Sequence, residues 1–155
     1  MIDATILFSD ALQSVFGPLD FLPVPDGAIH RFRVPDDKPG TLNGWYVLYL
    51  DGIASGAFGS WKTNGSSAWS SRTPIDYREA EQVRQRIEQA RQQRDAEQRY
   101  RQLGTATLAQ RWWRDARRAD PDHTYLIAKG VRAPNLRQRG DELLVPLYSS
   151  SVLVN

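Results

Sequence analysis

Cysteine is absent from this chain of 155 residues, and histidine occurs only twice. A disulfide therefore cannot form and a thiolate metal site cannot be built. Two histidines also argue against a zinc site, because zinc needs four protein or water ligands. Neither standard glycine-rich phosphate loop occurs in the sequence. We therefore predict no metal, no cofactor and no catalytic residues, and the sequence favours a role other than that of an enzyme.

Long apolar runs are missing as well. No apolar segment approaches the ~20 residues of a membrane helix, and the amino terminus lacks the basic and then hydrophobic pattern of a secretory signal. We therefore expect a soluble, cytoplasmic protein without a membrane partner. The content of 41% hydrophobic and 10% aromatic residues is that of a folded protein rather than a disordered one. The length fits one ordinary domain, or two small domains joined by a helix.

The most informative stretch runs from residue 29 to residue 61, where short apolar runs alternate with turn residues. In residues 29–34 the side chains of Arg31 and Arg33 share one face, which predicts a half-buried strand with a basic outer face. Residues 45–50 are apolar throughout and predict a central strand that is covered on both sides. The Asp51-Gly52 pair favours a hairpin with a two-residue type I′ turn before a third strand.

Helical patterns flank this predicted sheet. Apolar spacing indicates a helix from Asp3 to residue 16, with Asp3 as its cap. A long helix is predicted to open at Thr73-Pro74, run from residue 77 to about residue 103 and kink or break at Gly104-Thr105. The carboxyl-terminal part predicts a short helix closed at Gly130, a basic connection over residues 135–140 and a strand over residues 143–148.

Residues 63–72 are small and polar apart from Trp69, which predicts a loop. Trp69 allows two interpretations. In a loop flanked by Lys62 and Arg72 it would form a platform on which nucleic-acid bases stack. The alternative, which we prefer, is that the indole packs back onto the sheet, because a tryptophan left in water forfeits a large gain from burial.

Positive charge is concentrated in one segment. Residues 78–118 contain eleven arginines and six acidic residues, whereas the rest of the chain contains nine basic and twelve acidic residues. Arginine without lysine in this segment favours bidentate contact with phosphate or carboxylate. The alternative is a solvated helix whose charges pair four residues apart, as Arg84 would with Glu88. The sequence does not choose between these two interpretations.

Several strings resemble the amino-terminal region of primases and primase–helicase fusions carried by phages and plasmids, in which a Toprim catalytic domain follows. The strings are residues 30–34 (HRFRV), 37–40 (DKPG), 44–52 (GWYVLYLDG), 56–62 (GAFGSWK), 123–131 (HTYLIAKGV) and 143–147 (LLVPL). This chain departs from the family at Ser60, where Asp is usual, and again after Ser149, where the family continues toward its acidic metal-binding cluster. The resemblance therefore implies the front end of such a primase without its Toprim domain.

These observations together predict an α+β fold, made of a small antiparallel sheet, an amino-terminal helix, a long arginine-rich helix and a carboxyl-terminal helix–strand piece. Three parts are expected: residues 1–72, residues 73–119 and a truncated primase-core-like piece at 120–155. The predicted function is non-catalytic binding of single-stranded DNA, with low sequence specificity, in replication or transfer of a mobile element. The candidate contacts are Arg31, Arg33, Lys38, Lys62, Trp69, Arg72, Arg84 and Arg91. The alternative is an interaction module whose long helix forms a homodimer or docks a replication protein.

Overall fold

The computed structural model describes residues 3–132 and 135–154 of the chain. These residues form helices and small antiparallel sheets, which confirms the predicted α+β class. The chain divides into two compact units, Met1–Ala96 and Glu97–Asn155. The division into three parts that the sequence suggests remains a prediction. Within the described residues, every helix is either too short or too polar to cross a lipid bilayer.

A four-stranded antiparallel sheet forms the centre of the first unit. Its strands are β1 (His30–Phe32), β2 (Gly44–Tyr49), β3 (Ser55–Ser60) and β4 (Gly65–Ser70), in that spatial order. The first three confirm the predicted sheet, but β4 shows that the prediction of a loop over residues 63–72 is wrong. Pairing with β3 outweighs the weak strand preference of the small polar residues here, because all six residues of β4 lie in register with residues 55–60.

Helix α1 (Ala4–Phe16) covers one face of this sheet. It begins after Asp3, whose carboxylate accepts a hydrogen bond from the Thr5 N–H at 2.8 Å, and it ends at Gly17, as the sequence predicts. Phe8 and Leu12 are fully buried at the centre of the contact. Their buried partners on the strands are Phe32, Tyr46, Leu48 and Phe58. The aromatic rings of this cluster meet mostly edge to face, the arrangement that aromatic pairs prefer.

The opposite face of the sheet packs against the first part of helix α2 (Tyr77–Asp115). Trp45, Val47 and Ala57 are buried there with Ala90 of the helix. Strand β2 is therefore covered on both sides, as predicted. Arg31 lies opposite Trp45 in the register of β1 and β2 and points to the same side of the sheet. The prediction that Arg31 lies on a solvent-exposed outer face is therefore wrong, and its side chain is half-buried.

The hairpin between β2 and β3 is confirmed, but its turn is longer than predicted. Residues 50–54 connect the strands, with Gly52 in the left-handed conformation at φ 71°. The prediction of a two-residue turn is wrong, because the connection packs inward and buries Ile53 and Ala54. Helix α2 holds the outer part of this connection, since Gln82 Nε2 donates to the Asp51 carbonyl at 3.2 Å.

Helix α2 differs from its prediction at its start and in its middle. It begins at Tyr77 rather than at Thr73-Pro74, because the Asp76 carboxylate caps it by accepting from the Glu79 N–H at 2.8 Å. It then continues through Gly104 to Asp115 without a break. A glycine in a helix interior costs only about 0.5–1 kcal/mol and removes no hydrogen bond, so a single glycine without proline does not end a long helix.

The second unit contains the end of α2 and two small antiparallel sheets. One sheet consists of β5 (Arg117–Arg118), β6 (Arg137–Arg139) and β7 (Glu142–Leu144), and the other of β8 (Tyr148–Ser149) and β9 (Val152–Leu153). The predicted connection over residues 135–140 is therefore wrong, because half of it forms the central strand β6. The predicted strand over residues 143–148 is interrupted after Leu144, ahead of Pro146, which has no N–H for a ladder.

Helix α3 (Thr124–Lys129) confirms the short helix predicted in this unit. The His123 side chain accepts a hydrogen bond from the Tyr125 N–H at its start. Gly130 closes it in the left-handed conformation at φ 62°, which glycine adopts at low cost. Leu126 is its buried residue.

Candidate nucleic-acid interface

Four of the predicted contact residues lie at one end of the first unit's sheet. We call Arg31, Arg33, Lys38 and Lys62 the basic sheet end. Arg31 lies within β1, Arg33 follows that strand, Lys38 lies in the connection to β2, and Lys62 follows β3. Arg33, Lys38 and Lys62 are exposed, whereas Arg31 is half-buried and donates to the Leu42 carbonyl.

A buried carboxylate organises the basic sheet end. The side chain of Asp37 is 5% exposed and accepts hydrogen bonds at 2.8 Å from Lys62 Nζ and from Asn43 Nδ2. Its backbone carbonyl accepts from Arg33 Nε at 3.1 Å and from Arg33 Nη2 at 2.8 Å. The connection is thus fixed to the end of β3, with the charged end of each cation near the surface.

The same contacts keep Asp37 and Lys62 ionised. The hydrogen bond from Lys62, followed by that from Asn43, holds the pKa of Asp37 below its usual value. In return the bond to Asp37 raises the pKa of Lys62. The Lys62 side chain remains 66% exposed, so its ammonium group can still reach a phosphate. Counting Asp36 with Asp37, the four cations of the basic sheet end exceed the nearby acids by two.

Trp69 and Arg72 have structural contacts in the first unit. The Trp69 ring packs against Phe8 with a centroid distance of 5.0 Å, so the indole packs onto the sheet, as the preferred interpretation has it. Arg72 donates two hydrogen bonds, of 2.8 and 2.6 Å, to the carboxylate of Glu79. These bonds, with one from the Ile75 N–H, lower the pKa of Glu79 to about 2. The charge of Arg72 is therefore balanced at neutral pH.

Arg84 and Arg91 lie on the exposed side of α2. Arg84 pairs with Glu81, and residues 78–96 contain five arginines against four acidic residues. Two of the five turn toward the sheet: Arg86 lies 4.9 Å from the ring centre of Tyr49, and Arg94 lies 5.3 Å from that of Trp61. The first part of α2 is therefore a nearly neutral surface rather than a basic one.

The excess positive charge of the chain lies in the second unit. Met1–Ala96 contains ten basic and twelve acidic residues, whereas Glu97–Asn155 contains ten basic and six acidic residues. All contact residues that were predicted from the sequence lie in the first unit. Two arginine–tryptophan pairs of the second unit were not predicted: Arg139 lies 3.9 Å from the ring centre of Trp112, and Arg137 lies 4.8 Å from that of Trp113. No short-range pattern reveals such pairs, because 24 or more residues separate their members.

Nowhere in residues 3–132 or 135–154 do three or more histidine or acidic side chains lie close enough together to hold a metal ion. The basic sheet end and the arginine–tryptophan pairs offer positive charge and aromatic surface, which is the chemistry of phosphate and base contact.

Comparison with known proteins supports the predicted similarity to primases. No protein-family model matches the chain, and no solved structure matches it. Among curated proteins, a DNA primase, TraC from Escherichia coli, is 32% identical over 112 residues. The matched region covers 72% of this chain but only 8% of that protein. The chain is thus similar in sequence to a small part of a DNA primase.

Proposed function

We propose that the chain is a non-catalytic DNA-binding module related to the front end of a primase carried by a phage or plasmid, and that it acts in replication or transfer of that element. The observation that carries the proposal is the similarity over 112 residues to a DNA primase. Its preferred ligand is single-stranded DNA with little sequence preference, because exposed arginine and lysine contact phosphates, which every sequence shares. We infer that the module itself does not synthesise primers.

The basic sheet end supplies the first contact surface. Lys38 and Lys62 are exposed, and the hydrogen bonds of Asp37 and Arg33 fix the connection that carries Lys38 to Lys62, which follows β3. Ordered cations lose less freedom when they meet a phosphate than cations on a mobile segment do. Arg33 adds a third exposed cation, whose Nε and Nη2 are held by backbone carbonyls and whose Nη1 can contact a phosphate.

A salt titration tests the proposal. Anisotropy of a labelled oligonucleotide should show binding that weakens with salt, by about 0.7 logarithmic units per neutralised phosphate for each tenfold rise in salt. Changing Arg33→Ala together with Lys38→Ala should weaken binding and reduce the slope by about 1.4. Absence of binding by the unchanged protein at low salt would refute the function.

A matched variant removes the same charge elsewhere. Arg84→Ala with Arg91→Ala changes two arginines on the exposed side of α2, where acidic residues balance them. We expect the salt slope of this variant to stay near that of the unchanged protein. An equal loss of slope in both variants would show that binding follows total charge, and the basic sheet end would then not be the contact surface.

A second candidate function is self-association or partner docking through α2. Tyr100 and Leu103 favour it, because their side chains are 76% and 68% exposed on this helix. The apolar residues Val83 and Ala90 of the same helix give less support, since both are buried in the first unit. Sedimentation velocity over a range of concentrations distinguishes a monomer from a dimer, and Leu103→Ser should abolish a dimer formed through this surface.

A further inference from the structure

The second unit contains an apolar groove beside the end of α2. The groove has a volume of about 300 Å³. Thr105, Leu108 and Trp112 line it from the helix, and Leu144, Val145 and Leu153 line it from the strands and their connections. Trp112 and Leu108 keep 39% and 44% of their surface exposed. An aromatic and aliphatic groove of this size is at the small end of the range for ligand sites.

Two arginines lie next to residues that line the groove. Arg139 stacks on Trp112 at 3.9 Å and donates to Glu142 at 3.1 Å, which leaves further guanidinium N–H groups. Arg101 lies one helical turn before Thr105 and therefore on the same side of α2. Arg101 is exposed and makes no ion pair with any residue of the described ranges 3–132 and 135–154.

We propose that this groove accepts a nucleobase of single-stranded DNA, which stacks at Trp112 while Arg101 and Arg139 contact the neighbouring phosphates. The inference rests on the proposed function and places a second contact surface in the more basic unit. Charge favours this occupant, because an apolar peptide would leave Arg101 without an anion and the unit carries an excess of four positive charges. Trp69, for which the sequence left base stacking open as the less favoured interpretation, packs against Phe8.

An abasic oligonucleotide separates base stacking from phosphate contact. The full chain is titrated with a thymidine oligonucleotide and with an abasic strand of the same length, which carries the same phosphates. The unchanged protein should bind the thymidine strand about fivefold or more tightly. Trp112→Ala should remove this preference while the salt slope stays the same, and Trp112→Phe should retain much of it. Equal binding of both strands by the unchanged protein overturns the inference without any variant.

Two neighbouring arginines test the phosphate contact. Arg99 and Arg101 are both exposed on α2, but two residues on a helix turn the side chain by about 200°, so Arg99 points away from the groove side. Arg101→Ala should lower the salt slope by about 0.7, whereas Arg99→Ala should leave it near its original value. Equal slopes for the two variants overturn this part of the inference.

The remaining outcomes distinguish the two proposals. If the unchanged chain binds neither strand at low salt, the proposed function fails and the groove assignment fails with it. If the chain binds DNA and Trp112→Ala keeps the preference for the thymidine strand, only the groove assignment fails. If Trp112→Ala leaves the preference intact but dissociates a dimer in sedimentation velocity, the groove is a protein interface and the inference is overturned.

Discussion

Replacing Trp45 tests whether helix α2 covers its face of the first unit's sheet. Trp45 is 0% exposed and is the largest fully buried side chain. It lies opposite Gly59 in the register of β2 and β3, and Gly59 has no side chain that could fill the space left by the indole. Because the neighbouring residues cannot fill this space, Trp45→Ala should lower the free energy of unfolding by about 3–5 kcal/mol, the usual cost of truncating a large aromatic side chain in a core.

Native-state hydrogen exchange measures this cost within the sheet. The free energy of opening of the β2 and β3 amides should fall by about 3–5 kcal/mol in Trp45→Ala and by less than half as much in Trp45→Phe. Tyr77→Ala serves as the control, because Tyr77 is 79% exposed and such substitutions usually change stability by at most about 0.5 kcal/mol. A loss below about 1 kcal/mol for Trp45→Ala would refute the close packing of α2 on this face of the sheet.

Three further predictions concern charge and helix continuity. The Glu79 carboxyl should titrate near pH 2 in a carbon-detected NMR titration. Because its folded pKa is depressed, the stabilisation by Arg72 is complete above about pH 4.5 and is lost as the pH falls toward 2. A midpoint near pH 4.5 would contradict the pairing of Glu79 with Arg72. Lys62→Met should raise the pKa of Asp37 toward its usual value, measured in the same way, and an unchanged pKa would show that Lys62 is not its main partner. Gly104→Ala should stabilise α2 by about 0.5–1 kcal/mol in urea unfolding, since a methyl group there meets no atom within 4 Å, and destabilisation would contradict a continuous helix.

Local patterns predict the parts of the fold that local energies decide. Helix α1 follows from its apolar spacing and from Asp3, whose cap needs only the next few residues. The closure of α3 at Gly130 is local in the same sense. The central position of β2 follows from its continuous apolar run, because only a strand with two covered faces tolerates such a run.

The candidate site depends on contacts that no local pattern contains. Strand β4 forms because β3 offers it a partner, and this pairing also packs Trp69 against Phe8. Charge is equally non-local: Arg72 could be selected from the sequence, but its neutralisation by Glu79 depends on the path of the chain between them. The pairing of Trp112 with Arg139 spans 27 residues, so the sequence gives no sign of an aromatic and basic surface there.

Strand β4 also leaves one side of the first unit's sheet unpaired. As the last strand in the order, it presents backbone N–H and C=O groups that could template another chain during folding or at high concentration. Residues 65–68 are small and exposed, and Lys62 and Arg72 carry charge on either side of the strand. Flanking charge of this kind discourages edge-to-edge aggregation. Substitutions that make β4 more apolar should therefore promote aggregation of the protein before they change its fold.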